Sequence, residues 1–222
     1  MSDRDYLIRL INQAAQALGS ALGLRQQQKQ QEALDLLDDF LGRELRLRAR
    51  LALGLSDRDL LAMLSVGGVP NGESVAIMAA FLQEEGELYA ELGRLEESLP
   101  RYEKALRLNL YLLRNYGEIE GWDVPGRTDR LLRELSPYRL EAETRRALWQ
   151  WHEESGRLAE AENELYELKR EGGAVPEDGI RFYDRLEALD DEELQRGGLT
   201  RDELAEGREQ WRLLTGETAK ND

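Results

Sequence analysis

The sequence predicts an all-α protein of antiparallel helical hairpins. Apolar residues recur at three- and four-residue steps along most of the chain, strand-like alternation is absent, and glycine and proline cluster in short connectors between the periodic stretches. From Asp3 to Leu22 the residues Tyr6, Leu7, Leu10, Ile11, Ala14, Ala17, Leu18 and Ala21 keep the period of an amphipathic helix. The same spacing marks Glu32 to Leu41, Ser74 to Leu92, Glu96 to Tyr116, Leu140 to Ser155, Leu158 to Glu171, Ile180 to Leu189 and Arg201 to Leu214. Three helix starts carry a hydroxyl followed three residues later by an acid: Ser2 with Asp5, Ser56 with Asp59 and Thr200 with Glu203. Such a hydroxyl caps backbone donors that a first turn leaves open, and the acid suits the positive end of the helix dipole. Connectors fall at 67–72, 121–126, 172–176 and 197–198. They are too short to separate independent domains, so one helical domain is expected over residues 1–216. Its hairpins lie at about 3–41, 74–116 and 139–171, its C-terminal helices at 177–215, and a disordered polar tail at 217–222.

Composition narrows the function. A chain of 222 residues can bury roughly 70% of its unfolded surface and needs no staples. Its 45 acidic and 30 basic side chains give a formal charge of −15, which repels nucleic-acid phosphates and anionic membrane surfaces. Neither nucleic acid nor membrane is therefore an expected partner. With no cysteine, disulfides, thiolate metal sites and cysteine nucleophiles are excluded, and a reducing compartment is the natural home. Acids stand at Asp3 and Asp5 where a secretory leader has bases, and no apolar run reaches the roughly 18 residues of a membrane span. The expected location is the cytoplasm.

Internal repetition is the most informative feature. Leu82, Gly86, Tyr89, Gly93, Ser98, Tyr102, Ala105 and Leu106 give a large residue, a small one, an aromatic, a turn glycine, a second small residue, an aromatic and an alanine. A second copy reads Trp149, His152, Gly156, Ala161, Leu165, Leu168, and a degraded third reads Ala21, Leu24, Gln28, Ala33, Leu37, Phe40. The pattern resembles the tetratricopeptide repeat, with copies near twice the usual period of about 34 residues. That resemblance implies a short right-handed α-solenoid in which small residues let paired helices approach and glycine makes the reversal. Over most of residues 3–171 the stretches Asp5 to Arg9, Leu55 to Leu61, Glu84 to Gly86 and Glu97 to Leu106 also look like an uncharacterised bacterial family of helical-repeat proteins, from which no activity carries over. Pro100 fits the helix after Leu95 only if it lies in about the first turn, where no donor is needed.

No residue set forms a catalytic signature. His152 is the only histidine, and it occupies the aromatic position of its hairpin, which suits packing better than a base or metal ligand. The acidic runs Asp35, Asp38, Asp39 and Asp190 to Glu193 match no calcium loop and read as solvated faces or helix starts. The glycine connectors contain no phosphate-cradling motif. Arg43, Arg46 and Arg50 would share one face if their segment is helical and could then take an anion, although neutralising neighbouring acids is the simpler role. Trp122, Trp149, Trp151 and Trp211 read as core or loop anchors. Neither a cofactor nor a metal is implied.

The tetratricopeptide resemblance implies a concave groove lined by Gln83, Glu87, Ala90 and Glu91 in one hairpin and by Arg146, Gln150, Glu153 and Glu154 in the next. Glutamates there disfavour a carboxylate clamp and favour a basic or polar guest. The leading expectation is a non-catalytic scaffold that binds a peptide or partner protein. One alternative is a structural homo-oligomer, possible as a homodimer through the wide apolar stripe of the first helix. A carboxylate site with His152, metal-binding or hydrolytic, is the other.

Overall fold

The structure, a computed structural model, describes residues 3–216, so the Ser2 cap and the tail at 217–222 lie outside the described residues. Among the described residues the chain is mostly helical, as the periodicity predicts. It divides into two compact units, Met1–Leu140 and Glu141–Asp222.

The first unit runs α1 (Asp3–Gln26), α2 (Gln30–Phe40), a π-helical turn (Leu41–Leu45), α3 (Ala49–Gly54), α4 (Asp57–Met63), β1 (Ser65–Val66), β2 (Val69–Pro70), α5 (Gly72–Glu91), α6 (Leu95–Asn115) and α7 (Val124–Leu135). Helix α5 is its centre because the run Val75 to Leu82 is apolar on every face, and a helix apolar all round must be surrounded. It packs against α1, α2, α6 and α7, and each residue from Val75 to Gly86 is buried. Phe81 stacks on Phe40 of α2 with ring centroids 4.9 Å apart.

The α5–α6 reversal follows the expected chemistry. Gly93 takes a φ of 71°, Gly93 N–H donates to Ala90 O, and Arg94 N–H to Tyr89 O, which satisfies the last carbonyls of α5. Close approach is enforced at Gly86, where an added Cβ would lie 2.6 Å from Tyr102 Cδ1, while Ser98 Oγ donates to Gly86 O at 2.8 Å. The connector at 67–72 contains a two-residue β-hairpin in which Val66 faces Val69 and both Gly67 and Gly68 have positive φ, the form that matches strand twist. The connector at 121–126 is in part a helix start. Asp123 accepts a bond from Gly126 N–H, and Pro125 occupies the first turn of α7, where its missing donor is not needed.

Pro100 requires a correction. Helix α6 begins at Leu95, so Pro100 stands in the second turn and removes one intrahelical donor. The guanidinium of Arg101 donates to Glu97 O at 2.8 Å and so serves a carbonyl in the disturbed turn. Pro100→Ala is expected to stabilise the fold by about 1–3 kcal/mol, measured by urea unfolding; an unchanged or lower midpoint would show the proline to be no burden.

The second unit contains α8 (Ala142–Glu154), α9 (Leu158–Arg170), α10 (Pro176–Glu187), α11 (Asp191–Arg196) and α12 (Arg201–Thr215). Gly156 repeats the reversal of Gly93, with a φ of 72° and Arg157 N–H donating to His152 O. Ala161 and Leu165 of α9 meet Trp149 of α8 in a core shared with Phe182, Tyr183, Leu186, Leu194, Leu204 and Trp211. The acidic run at 190–193 is a helix start: Asp190 and Glu193 cap each other's backbone N–H at the head of α11. Thr200 and Glu203 do the same for α12, and Ser56 caps α4 through Asp59 N–H.

Candidate functional site

Of the stretches that look like the uncharacterised family, Leu55 to Leu61 and Glu97 to Leu106 meet where α4 packs on α6. Asp57, in the first turn of α4, accepts from Lys104 Nζ and from Arg107 Nε of α6, each at 2.8 Å. Lys104 also donates to Leu55 O at 2.7 Å, and its side chain is only 3% exposed.

On the adjoining face a cleft of about 260 Å³ opens between α2, α3, α5 and α6. Asp35 and Asp38 line it from α2, Arg50 and Leu53 from α3, Glu85 and Tyr89 from α5, and Arg101 from α6. Glu85 lies in its wall because it follows the all-round apolar run of α5 and shares that helix's burial; its side chain is 2% exposed. Its Oε2 accepts from Arg101 Nε at 2.8 Å, whereas its buried Oε1 has no hydrogen-bond partner among the protein groups. The Arg101 guanidinium also lies 4.3 Å from the Tyr89 ring centroid. Burial raises the Glu85 carboxyl to about 7, against the pull of Arg101, which lowers it. Glu85 is thus the buried acid of this face whose ionisation is balanced near neutrality.

The raised value has a sign. The folded chain holds the Glu85 proton more tightly than the unfolded chain, so its stabilisation is complete below about 4.5 and is lost as pH rises through about 7. Wild type should lose up to ~1 kcal/mol per pH unit across that window relative to Glu85→Gln. Paired urea titrations at several pH values check this, and parallel curves would place Glu85 in an ordinary environment.

The groove residues taken from the repeat resemblance stand elsewhere. Arg25, near the end of α1, donates to Glu87 at 2.6 Å, to Glu91 at 2.7 Å and to Glu84 at 3.3 Å. Gln83 is buried and accepts from Arg127 of α7 at 3.2 Å, and Ala90 is half-buried. The α1 and α7 side chains therefore occupy this face of α5. In the second unit Arg146 reaches Asp178 and Gly173 O, and Glu153 binds Arg185 of α10 at 2.5 and 2.9 Å. Gln150 is half-buried, Glu154 is exposed, and each has an interaction of its own.

The three arginines suggested as an anion patch do not share a helical face. The helix period breaks at the π-helical turn and at Arg46, whose φ of 54° is left-handed. Arg43 consequently lines a second cleft with Gln13, Ser20 and Phe40, while Arg50 lines the Glu85 cleft. His152 is half-buried; burial, then the charge of Arg157, lower it to about 4, so it is neutral at pH 7. Among the described residues no group of three His, Cys, Asp or Glu side chains is placed to hold a metal ion.

Sequence reasoning missed Glu85, Arg25 and Arg101. The unbroken apolar run before Glu84 and Glu85 was the signal, since acids on a surrounded helix are buried with it. Nothing local marks Arg25, whose partners lie in α5.

The chain belongs to a family of unknown function (DUF6483), whose model matches residues 1–215. No curated protein and no solved structure matches it. Among the described residues no helix is long and apolar enough to cross a membrane.

Proposed function

We propose that this member of a family of unknown function is a non-catalytic interaction protein, built from tetratricopeptide-like hairpins, that holds a basic or polar segment of a partner protein. The cleft between α2, α3, α5 and α6 carries the reading. It sets Leu34 and Leu53 beside the carboxylates of Asp35 and Asp38, the mixture that gives a bound segment both contact area and orientation. The neighbouring Glu87 and Glu91 are less apt, because a guest there would compete with Arg25.

Affinity purification of the full chain from its host, wild type against Asp35→Lys with Leu53→Glu, tests the proposal. Both substitutions sit at the cleft rather than in the core, and the specific co-eluting proteins should be lost. Retention of the same proteins by a folded variant would remove the cleft from the interaction.

A second reading, a structural homo-oligomer, draws on α1, where Tyr6, Ile8 and Leu22 are 41%, 51% and 43% exposed. Light scattering at increasing concentration should then show a dimer; a strict monomer throughout ends it.

A further inference from the structure

The second cleft, of about 330 Å³, lies between α1, α2 and the π-helical turn and shares no residue with the Glu85 cleft. Its α1 wall is Gln13, Gln16 and Ser20, which with the small Ala17 follow one another at three- and four-residue steps and so stand on one stripe of the helix. Arg43 and Glu44 of the turn and Leu36 of α2 complete it. These side chains are open to a guest: Gln13, Gln16, Ser20 and Arg43 are exposed, and Leu36 and Glu44 are half-buried.

The local fold explains why a cation and an anion adjacent in sequence share one cleft. Arg46 N–H donates to Leu41 O, the i to i+5 step that closes a π turn. Such a turn holds more residues than an α turn, so successive side chains diverge by less than the ~100° of an α-helix, and Arg43 and Glu44 line the same space. Neighbours in sequence do not face each other as residues three or four apart do, and among the described residues neither Arg43 nor Glu44 makes an ion pair or a side-chain hydrogen bond. The carboxylates of Asp38 and Asp39 nearby are held by Arg48, so Arg43 is not needed to neutralise them.

We propose that this cleft binds a free α-amino acid, whose carboxylate accepts from the Arg43 guanidinium and whose ammonium donates to the Glu44 carboxylate. Gln13, Gln16 and Ser20 carry groups that both donate and accept, so they can serve either end of such a zwitterion. A lone anion would meet Glu44 beside Arg43, and a lone amine would meet Arg43 beside Glu44. A ligand with both charges on neighbouring atoms is matched by the pair. A peptide segment has neither charge along its main chain and leaves both side chains unmatched. The volume is at the small end for ligand clefts, and Leu36 favours an aliphatic side chain on the guest.

The test titrates the full chain with L-leucine, and in parallel with each other standard amino acid, while the side-chain amide resonances of Gln13 and Gln16 are followed by NMR. Saturable shifts of both are expected with leucine. Affinity should be about tenfold weaker for N-acetyl-leucine, which lacks the ammonium, and for leucinamide, which lacks the carboxylate. Two variants separate the ends: Arg43→Gln should bind leucine and leucinamide alike, and Glu44→Gln should bind leucine and N-acetyl-leucine alike. Both replaced side chains lie outside the core, and circular dichroism checks that the variants fold. Absence of saturable shifts with every amino acid, equal affinity for leucine and its two blocked forms, or unchanged affinity in both variants would overturn the assignment. Saturation by polar amino acids in place of leucine would overturn the role of Leu36. Partner binding at the Glu85 cleft uses other residues and is unaffected by each outcome.

Discussion

Replacing Asp57 by alanine should lower the stability of the fold by about 3 kcal/mol. Asp57 is the carboxylate that draws Lys104 and Arg107 of α6 against the head of α4, and those side chains are 3% and 5% exposed. Removing it takes a shared carboxylate from two buried cations, of which Lys104 keeps Leu55 O. The penalty comes from burying positive charge with less compensation rather than from a lost surface attraction, so it exceeds the worth of a surface ion pair several-fold. Because Asp57 is itself 32% exposed, the low end of the range for a broken buried pair applies. Introducing Lys104→Met into the same background should recover part of the loss, since a methionine of similar length needs no counter-charge. Urea unfolding of the three proteins reads this. A loss below ~0.5 kcal/mol for Asp57→Ala, or no recovery in the double variant, would show that water reaches the triad freely.

Trp211→Ala is expected to destabilise the second unit by about 3–5 kcal/mol. The indole is fully buried, donates from Nε1 to Pro176 O at 2.9 Å, and meets Tyr166 edge-on with centroids 5.6 Å apart. It also lies flat against Gly179, where any added Cβ would fall well inside van der Waals contact of the ring. Truncation empties a large site whose floor is backbone and cannot collapse inward. It also orphans the Pro176 carbonyl at the start of α10. Gly179→Ala attacks the same joint from the other side and should cost about 1–3 kcal/mol by forcing the ring outward. Unfolding curves for both variants, with near-ultraviolet circular dichroism as the readout of packing around the remaining tryptophans, check the pair. A loss under ~1 kcal/mol for Trp211→Ala would mean that α12 is held by something other than this anchor.

Much of the helical layout is legible in the residues, and the reasons are local. Gly93 and Gly156 mark reversals because a left-handed residue is needed where a helix ends and turns back, and glycine adopts it without strain. Ser56, Asp190 and Thr200 mark starts because their side chains meet donors three residues on. Helix α7 was hidden, since Val124-Pro125-Gly126 resembles a connector unless Asp123 is recognised as its cap. The β-hairpin was hidden for a similar reason: its two-residue strands are too short to alternate.

The candidate site was much less legible, because long-range pairing decides it. The repeat resemblance put Glu87 and Glu91 in an open groove, yet Arg25 reaches them from α1, and no spacing in the sequence links those helices. Arg43, Arg46 and Arg50 look like one patch only while the helix period is assumed to continue, and the π-helical turn ends it. Glu85 is one of two adjacent glutamates with nothing in their immediate context to separate them. What distinguishes it is the long-range packing of α5 against α6, which leaves Arg101 on one oxygen and no protein donor on the other.

The most direct test of the cleft as the binding surface is site-specific photocrosslinking in the native host, with the reactive group placed at Leu53 on the cleft or at Arg58 on exposed α4 as a control. The account predicts a discrete crosslinked partner from position 53, diminished by Asp35→Lys on the same cleft, and none from position 58. A crosslink of equal strength from both positions, or one from position 53 that Asp35→Lys leaves unchanged, would contradict it.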